Sequence, residues 1–171
     1  AFYIQARDAH TKKWSSWHKM VEWGKTIQRS YASKSDGFCK YQHVRLETEP
    51  YCLADAFRIK AVGSKGALLQ NIKGLAVSVA NIHAFKSEKI GPHIEQLPSV
   101  ALNNVPKISQ MLLDIPDSNR VCSPTSCSML LSYLTKSAVC PKEFAKQCYD
   151  KGLDSFGSWP FNMAHAFERC K

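Results

Sequence analysis

The feature that most restricts what this chain can fold into is a change of pattern near its middle. From Ala1 to about Lys86 apolar residues recur at alternate positions in short runs, whereas from Val105 onward they recur at helical spacing. In the first part Phe2 to Gln5 reads as an opening strand, Cys39 to Leu46 alternates after the Ser35-Asp36-Gly37 turn, and Ala56 to Val62 follows. A turn at Gly63-Ser64-Lys65-Gly66 then leads to Leu75, Val77 and Val79 alternating with Ala76, Ser78 and Ala80. This pattern predicts an antiparallel β-sandwich-like module over residues 1–86. Residues 87–104, with Gly91-Pro92, Pro98 and Asn103-Asn104, lack periodicity and read as a linker. Residues 105–171 read as a helical module, so the fold class expected is α+β.

The first helix of that module is the functional centre of the sequence. Ser123 suits an N-cap and Pro124 the first helical position, where a missing N–H costs nothing. Cys127, Leu130, Leu131 and Leu134 then fall at the spacing of a buried stripe. Cys122 stands at the positive end of this helix, with Arg120 two residues before it. Free first-turn N–H groups and a nearby cation are what make a cysteine nucleophilic. A second helix opens at Pro141, with Phe144, Ala145 and Cys148 as its apolar positions and Gly152 as its stop. A third begins after Ser158-Trp159-Pro160 and carries Phe161, Ala164 and Phe167.

Composition narrows the classes. With 44% hydrophobic and 22% charged residues in 171, the chain has the make-up of a globular protein, and no uncharged run reaches the length of a membrane span. The net charge of +9 is not strongly clustered. Its densest patch, Arg7 to Lys25, interleaves Lys12, Lys13, Lys19 and Lys25 with Trp14, Trp17 and Trp23. Such a mixture can track a phosphate backbone, but closely spaced tryptophans more often anchor a core or a seam between modules, so nucleic acid is not the expected partner. The seven cysteines leave at least one unpaired. They contain no C-x-x-C, and the histidines lack finger-like spacing, so neither a metal nor another cofactor is expected.

Several stretches together resemble a bacterial family of papain-fold cysteine peptidases related to those that process bacteriocin leaders. They are Val105-Pro106 with Ser109-Gln110-Met111, Cys122-Ser-Pro-Thr-Ser126 with Met129-Leu130 and Tyr133, Tyr149-Asp150, and Trp159-Pro160-Phe161-Asn162 with Ala164 and Ala166. Ser16-Trp17-His18 with Met20-Val21 and Trp23, and the run near Phe57-Arg58-Ile59, look like the β-rich module that precedes the peptidase in many members. The resemblance implies Cys122 as nucleophile, a glutamine in the oxyanion hole, for which Gln110 is the candidate by position, and a peptide or protein substrate. It also implies a later His and Asp.

Only His165 follows Cys122, in a helix where the family would not place its base, and it reads as a structural histidine. His18, His43, His83 and His93 precede the cysteine and read as surface or packing residues. The chain ends at Arg169-Cys170-Lys171 without a helix stop, which predicts that the peptidase part is incomplete and inactive as it stands. Two other functions compete with thiol-dependent hydrolysis. One is a carbohydrate or cell-wall binding module using Trp14, Trp17 and Trp23, and the other is a basic nucleic-acid binder. Localisation, cytoplasmic or secreted, is not legible from an opening Ala1-Phe2-Tyr3.

Overall fold

The computed structural model describes residues 1–24, 27–42, 44–64, 66–91 and 98–170. Lys25 of the basic patch, His43, Lys65 of the expected turn, Pro92 and His93 of the linker, and Lys171 lie outside the described residues.

The chain is mixed α/β, with antiparallel sheets in its first half and three α-helices in its second. β1 (Phe2–Asp8) runs between β2 (His18–Trp23) and β6 (Ala54–Ala61), and β3 (Gln28–Ser30) extends the sheet beyond β2. The order is therefore β3-β2-β1-β6. β4 (Cys39–Gln42) and β5 (Arg45–Thr48) form a separate two-stranded sheet. The turn before β4 depends on Gly37, whose φ of 92° is disfavoured for any residue with a Cβ. Ile4, Ala6, Cys39 and Tyr41 supply the apolar core of this half. Gln5 is buried among them and satisfied, donating to Ser15 O at 2.6 Å and accepting from Arg58 Nε at 2.7 Å.

The alternating run over residues 75–80 is not a strand. Every described residue from Val62 to Asn104 is exposed, and only short 3-10 turns at Leu69–Asn71 and Ser87–Lys89 interrupt an irregular path. Alternation marks a face that could be buried, but a strand also needs a neighbour to take its backbone hydrogen bonds, and residues 75–80 pair with none of the described strands.

The helices are α1 (Cys122–Thr135), α2 (Pro141–Cys148) and α3 (Trp159–Arg169). α2 starts with Pro141 and buries Phe144, Ala145 and Cys148, as its pattern predicts. α1 departs from its expected stripe: Leu131 is buried and Cys127 half-buried, but Leu130 and Leu134 are 52% and 56% exposed. Its inner face is Pro124, Thr125, Ser128 and Leu131, because α2 and α3 both pack here and short side chains let them approach closely. The core of this half is Leu131, Val139, Phe144 and Cys148, flanked by Cys127 and Ala166.

The two halves meet along β3. Lys151 N–H donates to Gln28 O at 3.2 Å and Ser30 N–H donates to Asp150 Oδ1 at 2.8 Å, so residues 150–151 cap the outer edge of the sheet. Gly152, expected as the stop of α2, instead serves this approach. The helix already ends at Cys148, and a Cβ at residue 152 would lie 1.9 Å from Ser30 O. Trp23 packs edge-on against Phe161 across the same seam, with ring centroids 6.0 Å apart.

Candidate active site

Cys122 is the first residue of α1 and is exposed. The helix begins two residues earlier than a Ser123 cap requires: Val121 occupies the cap position, fully buried, and no side chain caps the helix. Ser123 already lies inside the first turn, and its Oγ accepts a hydrogen bond from Asn162 Nδ2 on α3. The first helical hydrogen bond runs from Thr125 N–H to Val121 O at 3.0 Å, so the N–H groups of Cys122 and Ser123 lie at the open end of the helix beside the thiol.

Asn162 is itself buried and also donates to Phe156 O at 3.1 Å. It thereby fixes α3 and the preceding loop against the start of α1. Arg120 does not stand free beside the cysteine. Its guanidinium is paired with Asp154 Oδ2 at 3.2 Å and Asp117 Oδ1 at 3.3 Å, and the field of Asp154 with these bonds raises its pKa. The positive charge expected to act on Cys122 is therefore balanced by two carboxylates, which leaves the helix end as the polarising feature.

Gln110 is half-buried and opens an otherwise exposed 3-10 turn, Gln110–Leu112, which lies against the Ser118–Arg120 turn that leads into Cys122. A surface cavity of about 590 Å³ opens nearby between Val105–Ser109 and Met129 of α1. Neither Cys122 nor Gln110 is among its lining residues.

His165 is bound into the seam. Its Nε2 lies 2.8 Å from Gln28 Oε1, and its ring stands 6.0 Å from that of Trp23. Gln28 Nε2 in turn donates to Gln147 O and Tyr149 O. Burial holds the His165 pKa below its ordinary value, with Arg169 adding to the effect against Glu168. This is the environment of a structural histidine.

Asp150 was legible only as a member of a motif; its role depends on contacts distant in sequence. It is fully buried, taking hydrogen bonds from Ser30 N and Gly152 N at 2.8 Å and from Ser158 Oγ. Burial alone would raise its carboxyl, but the bonds from Ser158, Ser30 and Gly152 outweigh it and hold the pKa below the ordinary value.

All seven cysteines are free thiols. Trp14 and Trp17, expected on a carbohydrate-binding face, are stacked by cations: Arg58 lies 4.2 Å from the Trp14 ring and Lys60 4.2 Å from that of Trp17. No helix among the described residues is long and apolar enough to cross a membrane.

Cys122 is thus an exposed thiol at a helix N-terminus, with α3 bracing the first turn through Asn162. Residues 102–170 match the family model described as Peptidase_C39 like family, a stretch that runs from before the Gln110 turn to the end of α3. At family level that match indicates cysteine-peptidase-type hydrolysis, with a peptide or protein as substrate. No curated protein and no solved structure matches the chain.

Proposed function

We propose that this protein hydrolyses peptide or amide bonds through an acyl-enzyme on Cys122. The observation that carries the reading is the exposed position of Cys122 at the start of α1, within the stretch that matches the peptidase family. The thiolate attacks the substrate carbonyl carbon, and the carbonyl electron pair moves onto oxygen. The N–H of Cys122 and the side-chain amide of Gln110 receive that oxyanion. Collapse of the intermediate breaks the C–N bond and expels the amine, which takes a proton from solvent water; water then attacks the thioester, releasing the acid and the Cys122 thiolate and giving its proton back to solvent. His165 is not the proton carrier in this reading, because Gln28 and the seam hold it. Residues 105–171 act as a papain-like peptidase part, residues 87–104 as a connector, and residues 1–86 as a sandwich-like module that supports it.

Limiting iodoacetamide near neutral pH, followed by peptide mapping, tests the nucleophile. Cys122 should be the first of the seven modified. Burial pushes Cys39 up to about 11 and Cys148 up to about 12, which removes both from competition. Earlier labelling of Cys140 or Cys170, which are also exposed, would sink the assignment. Replacing His165 with Ala should leave the Cys122 alkylation rate nearly unchanged, and peptide turnover lost in that variant would make His165 the base after all.

A further inference from the structure

A second cysteine-centred cluster lies in the first half of the chain, away from α1. His18 opens β2, Asp36 sits in the turn before β4, and Cys39 opens β4. His18 is 3% exposed and Cys39 0%. His18 Nε2 lies 3.4 Å from Cys39 Sγ and 3.6 Å from Asp36 Oδ2. All three candidate ligand atoms fall within 4.8 Å of one another.

The surroundings orient these groups for a shared ligand. On its far side His18 Nδ1 is 2.7 Å from Ser33 Oγ, which also accepts the Tyr41 N–H at 2.8 Å. In the tautomer that carries its proton on Nδ1, donated to Ser33, Nε2 turns its lone pair toward Cys39 and Asp36. The Asp36 carboxylate is fixed in turn: Oδ1 accepts the N–H groups of Phe38 and Cys39, and Oδ2 that of Ser16 at 2.6 Å. A carboxylate oxygen has two acceptor sites, so Oδ2 keeps one.

We propose that His18, Asp36 and Cys39 bind one zinc-class divalent cation. Metal bonds of about 2.3 Å to sulfur and about 2.0–2.1 Å to nitrogen or oxygen, at tetrahedral angles, place sulfur and nitrogen about 3.6 Å apart and nitrogen and oxygen about 3.3 Å apart. The two distances to His18 Nε2 differ from these by a few tenths of an ångström, and Cys39 Sγ and Asp36 Oδ2 lie within 4.8 Å of each other, so side-chain rotation closes the cage. A thiolate with an imidazole rejects magnesium and calcium, which take oxygen ligands, and selects zinc or its neighbours. Binding replaces the thiol proton: Cys39 S–H loses H⁺ to solvent and a sulfur–metal bond forms in its place. The ion supplies the counter-charge that a buried thiolate otherwise lacks. Water completes the fourth position. The bound ion would clamp β2 to β4 and so join the two sheets. No recognised ligand spacing exists in the sequence, since His18 reaches the other two only through the packing of β2 on β4.

Cobalt(II) titration of the whole chain under reducing conditions tests the site. The expected result is a thiolate-to-cobalt absorption band that saturates at one equivalent and is abolished by zinc. Cys39→Ser should eliminate it, while Cys140→Ser and Cys170→Ser should retain it. Asp36→Asn preserves the backbone acceptor at Oδ1 and should weaken binding tenfold or more. Ser33→Ala, acting through His18, should weaken it about 10–100-fold. A band that survives Cys39→Ser, or an affinity unchanged in a folded Asp36→Asn, would overturn the proposal. So would the lack of saturable uptake by the folded wild-type chain.

Discussion

Asp150 ties the two halves of the chain together, because its two oxygens take donors from both. Asp150→Ala leaves the Ser30 and Gly152 N–H groups and the Ser158 hydroxyl without their buried partner, and should cost about 2–4 kcal/mol in urea unfolding. The carboxyl pKa is depressed below 3.8 in the folded state, so its contribution is present at neutral pH and is lost as pH falls through that lowered value. His165 acts at a higher pH. Its folded pKa lies below 6.5, so between the two values the unfolded chain binds the extra proton and stability falls as the solution is acidified. The urea midpoint should therefore drop as the pH is lowered through 6.5, and His165→Gln should flatten that drop; an unchanged slope would deny the burial its effect. Cys122 could be found in the sequence because a helix start is a local signal. The partners of Asp150, His165 and Ser123 could not, since each belongs to a distant element.

Elements with local signals are legible in the sequence, although the alternating run from Cys39 to Leu46 is divided between β4 and β5. Pro141 starts α2, Pro160 falls in the first turn of α3, and the runs at Phe2 and Ala56 are β1 and β6. β2 and β3 are not legible as strands, because Lys19, Glu22 and Arg29 break the apolar run and their place is set by pairing, β2 with β1 and β3 with β2. The inner face of α1 is hidden in the sequence for a related reason: the leucines set a stripe, but α2 and α3 pack on the side that buries Thr125 and Ser128. Gly152 gives a direct test of how closely the α2–α3 loop meets β3. Gly152→Ala places a methyl group against Ser30 O, and should destabilise the chain by about 1–3 kcal/mol, whereas Gly74→Ala, with open space around it, should not. Equal melting temperatures for the two variants would contradict the close approach.

Across the whole molecule, the exposed path from Val62 to Asn104 predicts where a protease enters. Limited trypsin digestion should cut at Lys73, Lys86 or Lys89 before any site in the sheets, and first cleavage within β1 to β3 would contradict the fold. The nicked halves should still co-elute on gel filtration, because the contacts of Gln28, Ser30 and Trp23 across the seam do not depend on that path. The capping of β3 by residues 150–151 also has a consequence for synthesis. Ser30 and Asp150 are 120 residues apart, so at about 5–20 residues per second the β3 edge leaves the ribosome about 6–24 s before its cover exists. During that interval the nascent sheet presents unpaired backbone groups to any strand nearby, including another nascent copy on the same messenger. The rate of elongation through the second half of the gene thus sets how long this chain is open to mispairing.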